Sequence, residues 1–273
     1  MTCRNLFAHG VAALAMCAAL GSPISALGQV SQTGQTEIAG NDNWSVVVSP
    51  YIWAASLSGN GAIGRYDVPV RVPFSTILGN LDLALMGEVE LTNGRYGVYM
   101  DGQYTSDAKD ATVAGAAVRF GTTAKMVTLG GFFHAWSIEK PGNTLFGKSR
   151  AVTIEPTFGL RWTQVNASAD PIVGTHTERW VDPFIGVRVS ADLSERWNLF
   201  AEGDIGGFGI GSRFSANLQT YFGYRTFVFN KPTILRFGYR VWYQDYVNDG
   251  GGIDRFAWRV TQHGPVAGLS MVF

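Results

Sequence analysis

Thirteen charged residues share one face of segments in which polar and apolar side chains alternate. They are Asp82, Glu88, Glu90, Asp101, Glu155, Arg161, Asp182, Arg188, Glu202, Asp204, Arg225, Arg236 and Arg240. Carboxylates and guanidiniums interleaved in this way support two kinds of chemistry. In a closed space they pair into a buried network; along an open one they line a path and set ion selectivity. Ten of them form the candidate network: Glu88, Glu90, Asp101, Glu155, Arg161, Arg188, Glu202, Asp204, Arg236 and Arg240. Glu202 and Arg240 are taken as one opposite-sign pair within it.

Other chemistry is less well supplied. The stretch "GDIGGFGIGSRF" (203–214) carries five glycines in nine positions. A dinucleotide fingerprint needs G-x-G-x-x-G opening a helix, but Ser212 stands at the third glycine position. The following "RFSANLQTYFGYRTFVF" alternates like a strand, so the glycines read as a tight turn with close backbone approach. His134, His176 and His263 are dispersed, and Asp170 with His176 is the one pair that a loop brings near in sequence. That is too little for a catalytic base or a metal site, so the expectation is no enzyme, no metal and no cofactor. Cys3 and Cys17 are the only cysteines, both near the N-terminus. The formal charge is zero, which leaves no basic footprint for nucleic acid.

The N-terminus reads as a targeting segment. Arg4 precedes the apolar run "VAALAMCAAL" (11–20), and "SALG" (25–28) supplies small residues at a cleavage site. Ten apolar residues fall short of the roughly 20 that span a membrane as a helix. Residues 1–28 are therefore expected to be a secretory signal peptide. "LAMC" (14–17) suggests lipidation of Cys17 as an alternative, although Met16 is large for that motif. Residues 29–43 are polar and read as a flexible lead-in, and residues 44–273 as one domain.

The elements that must position the charges are strands. "DLALMGEVELT" (82–92) alternates charged against apolar, and Asn93-Gly94 supplies a two-residue hairpin turn. The same period predicts ten strands, near 44–55, 82–92, 95–105, 121–137, 151–164, 179–192, 197–206, 213–229, 233–247 and 257–273; eight or twelve are the alternatives. Short turns are expected at 93–94, 193–196 and 230–232, and long loops at 57–81, 106–120, 165–178 and 248–256. The segment 138–150 is a long connection on the short-turn side. Within 57–81, "PFSTILGNL" suggests a helical turn that lids the barrel or binds a partner.

Three features point the apolar face outward, into lipid. The apolar faces carry more aromatic volume than a ten-stranded interior holds. Trp44, Tyr96, Trp197 and Phe273 mark one rim, with Tyr104, Trp162 and Tyr243 at the other, as interfacial girdles do. The chain ends "GLSMVF", alternating up to the terminal Phe273, which is expected to serve barrel assembly. The fold class is then all-β: a single transmembrane antiparallel up-and-down β-barrel of about 10 strands.

"SPYIWAASLSG", "VDPFIGVRV", "GDIGGFGIGS", "GYRVWYQDY" and "GPVAGLSMVF", in order from about Trp44 to Phe273, resemble a family of Gram-negative outer-membrane β-barrel proteins. The resemblance implies the fold and the cell outer membrane, and brings no catalytic residue. The expected partners are outer-membrane lipids and the barrel-assembly machinery, with an external partner unknown. The expected role is structural or surface-interacting around a largely filled lumen. A narrow porin-like channel for small solutes is the alternative, and a membrane hydrolase a lesser one.

Overall fold

A strand with two unlike faces satisfies its backbone only beside other strands, and a ring of strands leaves no edge unpaired. The computed structural model describes residues 44–64, 66–76, 81–113, 116–170, 174–250 and 255–273. The signal segment and lead-in expected over 1–43 lie outside them. The strands are β1 (Ser45–Trp53), β2 (Ser56–Ile63), β3 (Tyr66–Val72), β4 (Leu81–Thr92), β5 (Tyr96–Val113), β6 (Ala116–Phe133) and β7 (Trp136–Asn143). They continue with β8 (Ser149–Asp170), β9 (Gly174–Asp192), β10 (Trp197–Gly206), β11 (Phe214–Val228), β12 (Lys231–Asn248) and β13 (Phe256–Val272).

Ten of these close into an antiparallel barrel in the order β1-β4-β5-β6-β8-β9-β10-β11-β12-β13. The last strand pairs back onto the first, from Val47 opposite Val272 to Trp53 opposite Val266. One step further, Val46 and Phe273 exchange two backbone hydrogen bonds of 3.1 and 2.8 Å. β2, β3 and β7 lie off the ring.

Two of the expected long loops are instead largely strand. β5 runs on to Val113 and β6 starts at Ala116, while β8 reaches Asp170 and β9 starts at Gly174; β12 ends at Asn248 and β13 starts at Phe256, in keeping with the connection expected over 248–256. About 9–11 residues suffice to cross a bilayer, so the 22-residue β8 projects well beyond one. Outside lipid neither face needs to be apolar, and "TSDAKDATV" loses its alternation while keeping its ladder.

The segment 138–150 is not a connection either. Strand four ends at Phe133, and β7 then takes its place beside β8, from Trp136 opposite Ile154 to Lys140 opposite Arg150. Pro141 and Gly142 made this stretch read as loop. The tip of the hairpin folds toward the other turns: the Leu145 N–H donates to the Glu195 carbonyl at 2.9 Å, and Phe146 packs edge-on against Phe227 at 5.5 Å.

The first loop is a hairpin as well. β1 stops at Trp53, and β2 continues along the upper part of β13, from Ser56 opposite His263 to Ile63 opposite Phe256. Gly264 permits the break, since a Cβ there would lie 2.0 Å from the Ala54 carbonyl oxygen. Residues 74–76 form the expected helical turn. Between β10 and β11, Gly207 and Gly209 adopt φ of 86° and 77°. A Cβ on Gly211 would sit 2.2 Å from the Val181 carbonyl oxygen, so the glycine-rich stretch is a turn pressed onto β9.

Polarity is inverted relative to a barrel in water. Leu129 is 59% exposed and Phe158 56%, whereas Glu90 is 1% and Arg188 0% exposed. Trp44, Tyr96, Trp197 and Phe273 are exposed at the short-turn rim. An apolar outside over a charged inside is stable where the outer solvent is hydrocarbon. On this basis Leu235→Arg, which puts a charge on the exposed face of β12, should lower stability in lipid vesicles by about 2–4 kcal/mol if the position lies near the bilayer midplane. Urea-induced unfolding monitored by tryptophan fluorescence reads the change, and a variant as stable as wild type would show that this face does not meet lipid.

Candidate functional site

All ten candidate network residues lie inside the barrel, and each is buried. Alternation puts them there; the register decides which of them meet. Arg188 on β9 is the centre of one group. Its Nη1 donates to Glu90 Oε2 at 3.1 Å, while Nε and Nη2 face Glu202 at 3.5 Å and Glu88 at 4.0 Å. The Tyr99 and Phe132 rings flank the guanidinium, with centroids at 4.1 and 4.7 Å. Arg188 thus balances three carboxylates from β4 and β10 between two aromatic faces, where planar delocalised charge is best tolerated.

A second group crosses the lumen nearer the long-strand end. Arg161 and Asp204 form a bidentate pair at 3.1 and 3.0 Å. Asn217 Nδ2 donates to the same carboxylate at 3.0 Å, and its own Oδ1 accepts from Arg240 Nε at 2.9 Å. Arg240 reaches the Tyr51 hydroxyl at 3.5 Å, and that hydroxyl donates to Asp101 at 2.7 Å. Gln103 donates to the other oxygen of Asp101 at 3.0 Å. The result is one chain of contacts from β8 through β10, β11, β12 and β1 to β5.

The remaining candidates sit beside these groups. Glu155 meets His134 Nδ1 at 3.3 Å, and the Arg236 guanidinium lies 5.2 Å from the Tyr221 ring centroid. Arg225 pairs with Asp192 toward the short turns. Asp182 serves the glycine turn instead, accepting the Ser212 N–H at 2.6 Å. Glu202 and Arg240 are not partners: Glu202 goes to Arg188 and to Gln219, whose Nε2 donates at 2.8 Å. The side chain of Asp82 is outside the described residues.

Between the two groups lies a cavity of about 20 Å³, bordered by Glu88, Asp101, Arg161, Glu202 and Arg240. That holds about one water. Beyond it the filling stops. A second cavity of about 160 Å³ lies toward the long-strand end, walled by Trp53, Met86, Met126 and Trp242, with Phe74 of the helical turn at its margin. This outer cavity departs from the largely filled lumen expected from the sequence. The neutral links Tyr51, Tyr99, Asn217 and Gln219 were missed because the sequence reading followed charge alone. Their signal was present for Tyr99, Asn217 and Gln219, which share the face of Asp101 on β5 or of Arg225 on β11, whereas β1 carries no charge to mark Tyr51.

Apart from His134, the described histidines are tied elsewhere. His176 bonds Glu178 at 3.0 Å and stacks on Phe256 at 5.4 Å. The side chain of Asp170, its partner in the sequence reading, is outside the described residues. His263 Nδ1 and the Tyr239 hydroxyl lie 2.8 Å apart on the outer face. Among the described residues, no three of His, Cys, Asp and Glu are placed to hold a metal ion.

No protein-family model matches the sequence, and no curated protein matches it. Among solved structures, the chain is similar to Ail, the attachment invasion locus protein of Yersinia pestis, in complex with the heparin analogue sucrose octasulfate. The identity is 11%, over 84% of this chain and 98% of that one, with a TM-score of 0.33. A Pseudomonas aeruginosa FadL homologue matches at 10% identity over 84% and 90% of the two chains, with a TM-score of 0.28. The P. putida toluene transporter TodX matches at 6% identity over 85% and 90%, with a TM-score of 0.20.

Proposed function

We propose that the protein is an outer-membrane barrel that does not conduct, and that it acts through what its long-strand end binds. Residues 1–28 would direct export and be removed. Outer-membrane lipids would cover the apolar exterior, and Phe273, paired through its backbone with Val46, would be read by the barrel-assembly machinery. The observation that carries the reading is the middle of the lumen, where buried Arg161, Asp204, Arg188, Glu202 and Arg240 leave room for about one water. A permeant ion would have to part pairs that have no water to replace them.

Two measurements test this. Wild-type protein in planar bilayers should show no steady conductance, and liposomes that contain it should take up no sugar. A stable, ion-selective current would overturn the reading in favour of a narrow channel.

The network should also behave as pairs. Arg161→Met strands the buried Asp204 carboxylate and should cost about 3–5 kcal/mol in lipid unfolding assays. Adding Asp204→Leu should restore most of that loss. A double variant no more stable than Arg161→Met would show that the two side chains are not coupled.

A further inference from the structure

We propose that the outer cavity is a binding site for a small neutral molecule with a ring-sized apolar body and one hydrogen-bond acceptor, such as an aryl ketone. The inference rests on the closed-lumen reading only in placing a floor beneath the site. The cavity measures about 160 Å³, and an apolar cavity of about 150 Å³ holds one benzene ring. Its room comes from small side chains on three neighbouring strands, namely Ala84, Thr105, Thr122 and Ala124.

Three observations fix the chemistry. First, among the described residues, no Asp, Glu or Arg lines the cavity. Lys125 borders it, but its ammonium lies 5.6 Å from the Tyr104 ring centroid and is engaged there. An ionised ligand would meet no counter-charge and would lose its hydration. Second, the walls are Trp53, Trp242, Met86 and Met126, with Val165 above. Flat indoles and adaptable thioethers suit an aromatic or alicyclic body. Third, Trp53 and Trp242 are only 5% and 3% exposed, yet neither indole N–H has an acceptor among the described residues; the Trp258 N–H, on the same cavity, also lacks one. Buried indole donors ordinarily find a partner, and one carbonyl oxygen on a ligand would supply it.

The wall has a seam at this level. The ladder between β1 and β4 ends at Pro50 opposite Gly87, although both strands run on beside the cavity. Ile52 and Phe74 complete the lining there in place of a ladder. The Phe74 N–H donates to Ser56 Oγ at 3.0 Å, which ties the helical turn to β2. The lid expected from the sequence is thus a side wall of this cavity.

The test is equilibrium dialysis of radiolabelled acetophenone against full-length mature protein in lipid nanodiscs. Ala124→Trp fills the cavity, and its uptake measures partition into lipid. Thr122→Leu serves as a second filler, and heat-modifiable mobility on gels shows which variants have folded. Wild type should bind one equivalent saturably above the filled variants. Ethylbenzene, which has the shape without the acceptor, should bind more weakly by about fivefold, the worth of one neutral hydrogen bond. Benzoate should not bind. Replacing both indoles, Trp53→Phe with Trp242→Phe, should bring acetophenone and ethylbenzene within about twofold. Equal uptake by wild type and filled variants would overturn the site, and equal binding of acetophenone and ethylbenzene to wild type would overturn the role of the indoles. Bilayer conductance is read separately, so a conducting barrel that binds acetophenone sinks only the closed-lumen reading, and a silent barrel that does not bind it sinks only this one.

Discussion

A backbone amide that faces hydrocarbon has only its own chain for a hydrogen-bond partner. This constraint governs most of what the barrel does. It requires the ring to close, which here falls to β1 and β13, with Val46 and Phe273 as the last exchanged pair. It fixes the direction of each side chain, because a closed ring of period-two strands has one inside and one outside. The apolar residues then face out, and the charged ones have nowhere to go but the lumen.

Charges driven inward in this way must neutralise one another, and the lumen divides according to how well they do so. In the middle, Arg188 sits among three carboxylates and two rings, and Arg161 forks onto Asp204. The contacts run from strand to strand across the lumen. Toward the long-strand end β4, β5 and β6 contribute Ala84, Thr105, Thr122 and Ala124, side chains too small to reach across the lumen. Tryptophans from β1 and β12, stacked at 6.5 Å, mark the boundary. Stability and a site for a ligand thus come from the same sequence rule applied to large charged residues and to small neutral ones.

The part of the fold that touches lipid was legible, because lipid enforces alternation. "DLALMGEVELT" shows this well; the turn after it was placed correctly but is longer than the two residues expected, since Arg95 belongs to it, Asn93 Oδ1 accepts from the Arg95 and Tyr96 amides, and Gly94 takes φ of 81°. Legibility ends with the membrane. Past it, β5, β6, β8 and β9 keep their ladders without an apolar face, so strand read as loop. In 138–150, Pro141 and Gly142 hid a hairpin whose tip is held by Glu195 and Phe227. The inward face of each strand could be read, but the pairing of charges could not. Arg161 lies opposite Asp182 in the ladder and yet bonds Asp204, a choice made across strands that no single segment encodes. The outer cavity left a fainter mark, a set of small inward residues that charge-led reading passed over.

The charged middle is proposed to close the lumen beneath the outer cavity. Both cysteines of the sequence, Cys3 and Cys17, precede the barrel, so single cysteines within it can be labelled without background from its own strands. The direct measurement is the rate at which a small membrane-impermeant thiol reagent, applied to intact cells, modifies cysteines at Thr122 and Gln262 above the network and at Thr153 and Ser190, paired on the short-turn side of Glu155 and Arg188. Rapid labelling is expected of the first two and none of the second two until the protein is unfolded. Labelling of Thr153→Cys or Ser190→Cys at the rate of Thr122→Cys would mean that the lumen is open from end to end and that the network does not seal it.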